Sequence, residues 1–181
     1  MIPLLAIEIG NTTTGYVIYS DAASKDVYKR GHFSTKRILD NIDKEIIPHL
    51  SDIPHVVLSS VVPEATDKIY PPLKRHSKKL LVIDSQNIDT IVHVGNEKTG
   101  ADRVSAMAGA YSLYKTDLAV VDFGTATTVS VVDRDARFVA GAILPGLELM
   151  LRCLHQNTAQ LPEVKIKKIE KVTSIDTESS I

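Results

Sequence analysis

The chain has 181 residues, of which 44% are hydrophobic, and its 21 Lys and Arg residues against 22 Asp and Glu residues give a net charge of −1. This length allows a sizeable core in one large or two small domains. The balanced charge implies no basic face, so we expect no nucleic-acid partner. The single cysteine, Cys153, excludes an intrachain disulfide and is expected to be a packed helix residue. No signal peptide or membrane span is predicted, which favours the cytosol.

The first half of the chain shows three strand patterns, followed by alternating helix and strand patterns. The predicted elements are strands at 3–9, 15–20 and 27–33, a helix at 35–47, a strand at 55–62, a helix from Pro63 and a strand at 80–83. This is the element order of a ribonuclease-H-like domain, an α/β fold in which helices cover a mixed sheet.

The second half starts the same order again after a helical run at 104–114. Strands are predicted at 118–121, 129–132 and 138–143, followed by a helix at 147–154 and an extended segment at 161–171. We therefore expect two duplicated ribonuclease-H-like domains, at 1–115 with the linking helix and at 116–181. The second domain is expected to be incomplete, or truncated, because its later strand–helix units are missing.

A repeated turn supports this duplication. The segment Ala6–Thr14 aligns with Val120–Thr128, so that Glu8 falls on Asp122, glycine falls on glycine, and two threonines match two threonines. Either turn alone is typical of an unrelated β-hairpin. The match over the acid, the turn and both flanking strands favours duplicated domains that face one ligand.

The composition of the repeated turn indicates its chemistry. Glycine lets backbone N–H groups approach an anion closely, and the threonine hydroxyls can donate hydrogen bonds to it. The carboxylates of Glu8 and Asp122 would repel a bare phosphate. Either acid can therefore lie beside a phosphate only if a cation lies between the carboxylate and the phosphate. The turns therefore predict a site for a metal-bound polyphosphate.

A third acid lies beside an arginine at a helix start, in the segment Thr99–Arg103. One interpretation is structural, because Asp102 at this position would stabilise the helix N-terminus and Arg103 would be solvated. The functional interpretation is a base beside an anion clamp. Asp102 would accept a proton from a substrate hydroxyl, and Arg103 would hold a carboxylate through two parallel hydrogen bonds.

Taken together, five motifs resemble type III pantothenate kinase, and they occur in the family's order over nearly the whole chain. They are the hairpin Glu8–Thr12, the GADR motif Gly100–Arg103, the DFGTATT motif Asp122–Thr128, the GxILPG motif Gly141–Gly146 and the threonine motif Asp176–Ser179. That family belongs to the acetate kinase/sugar kinase/actin superfamily, whose two ribonuclease-H-like domains close over ATP.

The resemblance implies a role for each matching residue. Asp102 would be the general base. The implied pantothenate-binding residues are Gly100, Ala101, Asp102, Arg103, Thr177 and His93. The implied ATP-binding residues are Glu8, Ile9, Gly10, Asn11, Thr12, Thr13, Thr14, Gly15 and Thr125. Asp122 would hold a monovalent cation, K⁺ or NH₄⁺, and Glu8 is a candidate ligand of the Mg²⁺ that accompanies ATP.

The implied activity is ATP-dependent phosphorylation of pantothenate to 4'-phosphopantothenate, the first step of coenzyme A biosynthesis, by a homodimer. This chain has Glu8 where the family usually has Asp, and His93 where it often has Tyr.

Two alternatives stay open from the sequence. One is a non-catalytic or regulatory relative, which Glu8 and the short second domain favour. The other is a superfamily kinase that acts on another small hydroxy acid.

Overall fold

The strands form two separate sheets in the computed structural model, which describes residues 1–23, 25–51, 53–88, 91–95, 98–168 and 175–181. The first sheet has the order β3-β2-β1-β4-β5, and its strands are β1 (Leu4–Ile9), β2 (Thr13–Asp21), β3 (Asp26–Ser34), β4 (His55–Ser60) and β5 (Lys79–Val82). The second has the order β6-β7-β8, and its strands are β6 (Leu118–Phe123), β7 (Ala126–Val132) and β8 (Phe138–Pro145). The predicted α/β class is confirmed.

Among the described residues, five α-helices accompany the sheets. They are α1 (Ile38–Glu45), α2 (Pro63–His76), α3 (Ala101–Tyr114), α4 (Leu147–Gln156) and α5 (Thr177–Ser180). The continuous helix predicted at 35–47 is instead α1 between two 3₁₀ turns, at 35–37 and 47–49. Pro48 explains the early end, because it lacks the N–H that would continue the helical hydrogen bonding.

The first sheet is mixed. Strand β2 pairs antiparallel with β1 and β3, whereas β4 runs parallel to both β1 and β5. Parallel neighbours need crossover connections, and α1 and α2 provide them. The second sheet is an antiparallel meander, as are the first three strands of the first sheet. The duplication and the boundary at residue 115 stay predictions.

One face of the first sheet forms the main core with α1 and α2. Its members are the buried residues Leu5, Ile7, Ile9, Tyr16, Ile18, Ile38, Ile42, Ile46, Leu50, Ile53, Val56, Leu58, Ala65, Ile69 and Leu73. Side chains alternate between the two faces of a strand. The intervening residues of β1 and β2, which include Glu8 and Gly15, therefore project from the opposite face, towards α3.

Helix α3 packs against the second sheet through a separate buried cluster. This cluster contains Ile88, Val92, Val94, Val104, Met107, Ala108 and Val132. The N-terminal end of α3 also reaches the first sheet, where the Ser105 hydroxyl donates to Ser59 Oγ at 3.0 Å. One helix thus contacts both sheets and fixes the groups at its start between them.

The C-terminal region is more exposed than the sequence suggested. The prediction that Cys153 is packed is wrong, because Cys153 is exposed and α4 has no buried residue. Residues 161–168 have no regular secondary structure, and the rest of the predicted extended segment, 169–171, lies outside the described residues. Across the described ranges, no helix has both the length and the apolar character needed to span a bilayer.

Candidate active site

The two predicted hairpin turns face each other across the gap between the sheets. The hydroxyl oxygens of Thr12 and Thr125 lie 2.9 Å apart and share a hydrogen bond. The N–H of Gly10 closes the first turn by donating to the Thr13 carbonyl at 3.0 Å, and the N–H of Gly124 closes the second in a similar way. The two turns of the sequence repeat are therefore brought together in space, although Thr12 and Thr125 do not occupy the same position of the repeat.

Thr35 supports the first turn from behind, a role that the sequence did not indicate. Its hydroxyl donates to the Gly10 carbonyl at 2.7 Å and lies 3.0 Å from the hydroxyl of Thr14. Both threonines are buried. Thr14 was predicted to bind ATP, but its hydroxyl is engaged inside the protein. It supports the turn, as does the buried side chain of Ile9 in the main core.

Gly146, which precedes α4, supports the second turn. Its N–H donates to the Thr125 carbonyl at 3.0 Å. A Cβ atom at this position would lie 2.5 Å from that carbonyl oxygen and closer still to the carbonyl oxygen of Gly124. Only a residue without a side chain allows this approach. The packing of this turn therefore explains why the GxILPG motif ends in a glycine.

Glu8, Asp102 and Asp122 form a carboxylate cluster between two cavities. All three line both a cavity of about 920 Å³ over the first sheet and a cavity of about 360 Å³ between the hairpin turns. Desolvation in the cleft raises the pKa of Glu8 above its usual value, and repulsion from Asp122 and Asp102 raises the pKa further. Negative charge is thus concentrated where the two cavities join.

The oxygen chemistry of this cluster suits a hard cation, but the protein alone does not chelate one. Within the described ranges, no group of three or more His, Cys, Asp or Glu side chains is placed to hold a metal ion. Mg²⁺ commonly binds through one or two carboxylates, several waters and substrate phosphates. Glu8 and Asp122 fit a cation of that kind, brought in with a polyphosphate.

Asp102 is held at the start of α3 by its neighbours. Its Oδ1 accepts a hydrogen bond from the backbone N–H of Arg103 at 2.7 Å. A Cβ atom on Gly100 would lie 2.6 Å from the same oxygen. Gly100 therefore leaves room for the Asp102 carboxylate to fold over the helix N-terminus and face the cleft.

Arg103 points away from the cavities and ties α3 to the second sheet. Its Nε donates to Ser130 Oγ at 3.1 Å, and its Nη2 donates to the Val129 carbonyl at 3.1 Å. The guanidinium also lies over the Phe138 ring, 5.2 Å from the ring centroid. A Cβ atom on Gly141 would collide with Nη2, so the first glycine of the GxILPG motif makes room for this arginine.

Two residues implied by the resemblance lie elsewhere. His93 is exposed and pairs through its backbone with Arg137. Thr177 begins the short exposed helix α5. Within the described part of the chain, neither side chain lines either cavity. Three residues on β3 and β4 also line the larger cavity but were not predicted from the sequence, namely Arg30, His32 and Ser59. Strand pairing brings these residues to the cleft, and no local motif marks them.

The fold and the site together define a two-sheet α/β protein with facing Gly/Thr turns and an acidic cleft, as expected of a phosphoryl-transfer protein. A family model described as type III pantothenate kinase matches residues 4–181. The chain belongs to the type III pantothenate kinase family.

Similar proteins agree with this assignment. Two relatives named type III pantothenate kinase, from Sulfurihydrogenibium sp. (strain YO3AOP1) and Hyphomonas neptunium, are each 34% identical, over 98% of this chain and 74% of their own lengths. A crystal structure of a conserved protein assigned to the Baf family of transcriptional activators, from Campylobacter jejuni, has a TM-score of 0.60 at 16% identity, over 97% of this chain and 70% of that one. At that identity the structure supports the fold alone.

Proposed function

We propose that this protein transfers the γ-phosphoryl group of ATP to the primary hydroxyl of pantothenate and so forms 4'-phosphopantothenate, the first intermediate of coenzyme A biosynthesis. The family assignment supports the substrates. The observation that carries the chemistry is the carboxylate cluster, Glu8, Asp102 and Asp122, which lines both cavities at their junction. A hydroxyl from one cavity and a phosphate from the other would meet there.

The smaller cavity suits the phosphates of ATP. It is lined by the Gly10–Thr13 turn and by Gly124 and Thr125, which offer backbone N–H groups and hydroxyls. Such donors stabilise the charge that spreads over the transferred phosphoryl oxygens. Glu8 would bind the Mg²⁺ that accompanies the nucleotide, and Asp122 would bind K⁺ or NH₄⁺. These cations would neutralise the negative charge of the two acids and the phosphates.

Asp102 would act as the general base. As the hydroxyl oxygen of pantothenate bonds to the γ-phosphorus, its proton passes to the Asp102 carboxylate, and the bond from that phosphorus to the β–γ bridging oxygen breaks to release ADP. The hydrogen bond from the Arg103 N–H fixes Oδ1. Gly100 and Ala101 place the acid at the helix start. Arg103 keeps α3 seated on the second sheet.

The test is a coupled kinase assay with ATP, Mg²⁺, K⁺ and pantothenate. Asp102→Asn is expected to lower kcat by at least about 100-fold, the usual contribution of a positioned base, with little change in KM for ATP. Asp67→Asn is the matched control, because Asp67 is an exposed acid on α2 that lines neither cavity. No turnover by the wild-type protein would contradict the proposed reaction. Equal turnover by wild type and Asp102→Asn would contradict the base.

We also propose that the protein is a cytosolic homodimer. On the second sheet, Val121, Phe123 and Leu144 lie on one face and are 49%, 70% and 47% exposed. An apolar face of this kind suits a second copy of the chain. A monomer mass in sedimentation at assay concentrations would contradict the dimer.

A further inference from the structure

Two serine hydroxyls join α3 to the first sheet beside the carboxylate cluster. The hydroxyl of Ser105, on α3, donates to Oγ of Ser59, on β4, at 3.0 Å. Ser59 is only 5% exposed, and both serines line the larger cavity together with Asp102. This contact is therefore part of the cavity wall and is not an exposed surface bond.

Strand register places Ser59 directly beside Glu8. The strands β1 and β4 are parallel, and Glu8 is the pairing partner of Ser59. Paired residues of neighbouring strands lie about 4.8 Å apart and project from the same face of the sheet. Ser59 therefore stands next to one acid of the cluster, on the face that points towards α3.

Helix periodicity places Ser105 next to a second acid of the cluster, Asp102. Residues three positions apart lie on the same face of a helix. The Ser105 hydroxyl also donates to the Ala101 carbonyl at 2.7 Å, so its proton is shared between that oxygen and Ser59. One hydroxyl thus ties the residue before Asp102 to the strand beside Glu8.

Repulsion between the acids acts against this contact. Glu8 and Asp102 both carry carboxylates, and repulsion from Asp102 contributes to the raised pKa of Glu8. The same repulsion pushes the start of α3 away from the first sheet. On its other side, α3 is held by Arg103, which donates to β7 of the second sheet. Without the bond to Ser59, the start of α3 would move with the second sheet.

We propose that Ser59 and Ser105 are a positioning pair, which holds the Asp102 carboxylate at the junction of the two cavities. This inference rests on the proposed function, in which Asp102 takes the proton of the substrate hydroxyl. Neither serine takes part in the bond changes. The pair acts through Asp102, because it fixes the distance between the start of α3 and the strand beside Glu8. A displacement of about 1 Å at a reacting group can lower the rate about 100-fold, so one neutral hydrogen bond is sufficient.

The test compares Ser105→Ala with Ser112→Ala in the coupled kinase assay. Ser112 is the matched control, because its hydroxyl donates to the Ala108 carbonyl at 2.7 Å, as that of Ser105 does to the Ala101 carbonyl on the same helix. Among the described residues, Ser112 lines neither cavity and has no side-chain bond to the first sheet. Both substitutions remove one such bond and introduce a better helix former, so a difference between them comes from the cavity side of α3.

Ser105→Ala is expected to lower kcat by about 10-fold or more, while KM for ATP and for pantothenate stays within about twofold. Ser105→Thr is expected to restore most of kcat, because threonine keeps the hydroxyl and can bond the carbonyl four residues back. Ser112→Ala is expected to match wild type. A change in KM alone would indicate direct contact with a substrate and would overturn the positioning role.

A double-mutant cycle with Ser59→Ala measures whether the two serines act as one unit. If they do, the double variant loses no more kcat than the more damaging single substitution, and the effects on Tm are likewise non-additive. Independent effects of the two substitutions, equal kcat in Ser105→Ala and wild type, or an equal loss in Ser112→Ala would overturn the proposal.

The same proteins separate this proposal from the proposed reaction. If wild type transfers no phosphate to pantothenate, the proposed reaction fails, whereas non-additive Tm values would show that the tie between α3 and the first sheet stands. If wild type turns over pantothenate and Ser105→Ala equals it in kcat, the positioning role fails and the reaction stands.

Discussion

Replacing Gly146 by alanine tests whether the second turn depends on a glycine that contacts it. The backbone at Gly146 has φ −70° and ψ 161°, which alanine adopts without strain, so the cost is steric. The added Cβ atom would lie 2.5 Å from the Thr125 carbonyl oxygen and 2.8 Å from its carbonyl carbon. Because these are backbone atoms, the turn itself must move. Overpacking of this kind costs about 1–3 kcal/mol, and close backbone contacts favour the upper end.

A loss of about 3 kcal/mol in a chain of this size lowers Tm by roughly 6–12 °C. Displacement of the turn should also break the bond between Thr12 and Thr125, and so weaken ATP binding in calorimetry. Gly109→Ala is the matched control, since Gly109 lies at an exposed position of α3 where a Cβ atom meets nothing within 4 Å, and alanine should stabilise the helix by about 1 kcal/mol. Equal Tm values for Gly146→Ala and wild type would refute the steric argument.

Two further substitutions test the carboxylate cluster. Glu8→Gln should stabilise the ligand-free protein increasingly as pH rises, by less than about 1 kcal/mol because water screens the cleft. The pKa of Glu8 is raised in the folded state, so its contribution to stability is complete below the unfolded value of 4.5 and is lost as pH rises through the folded value. Melting curves from about pH 4 to about pH 8 measure the difference, and a gap that shrinks with pH would contradict it. Gly100→Ala should displace the Asp102 carboxylate and lower kcat at least about 10-fold, while Tm falls only about 2–4 °C; unchanged kcat would show that Asp102 does not need this space.

Hydrophobic periodicity and turn residues were sufficient to predict most of the fold. The strands at 55–60 and 118–123 follow from β-branched runs, and the helix at 63–76 follows from Pro63. Burial of α4 was harder to predict. Its apolar residues repeat as in a packed helix, yet Leu147 and Leu154 are 47% and 43% exposed. Periodicity shows that a helix has an apolar face, but it does not show which surface covers that face.

The candidate site can be predicted from sequence where its residues are consecutive, but residues that only sheet pairing brings to it cannot. The hairpin turns and Asp102 belong to short motifs with glycines, so their chemistry is visible in sequence. Thr35 supports the first turn from 25 positions away, and its bond to Gly10 depends on β3 pairing with β2. Arg30 likewise enters the cavity through register. Arg103 is the opposite case. Its sequence motif predicts a residue of the site, but in the structure its guanidinium donates hydrogen bonds to β7.

The arrangement of the acids explains why cation and nucleotide should bind together. Glu8 comes from the first sheet and Asp122 from the second, and their charges repel across the cleft that ATP would enter. Close to that cleft, the hairpin turns are joined by the bond between Thr12 and Thr125. A cation carried by a polyphosphate relieves the repulsion and adds contacts to both turns at once. Either ligand alone leaves charge unbalanced, so affinity for one should rise with the other.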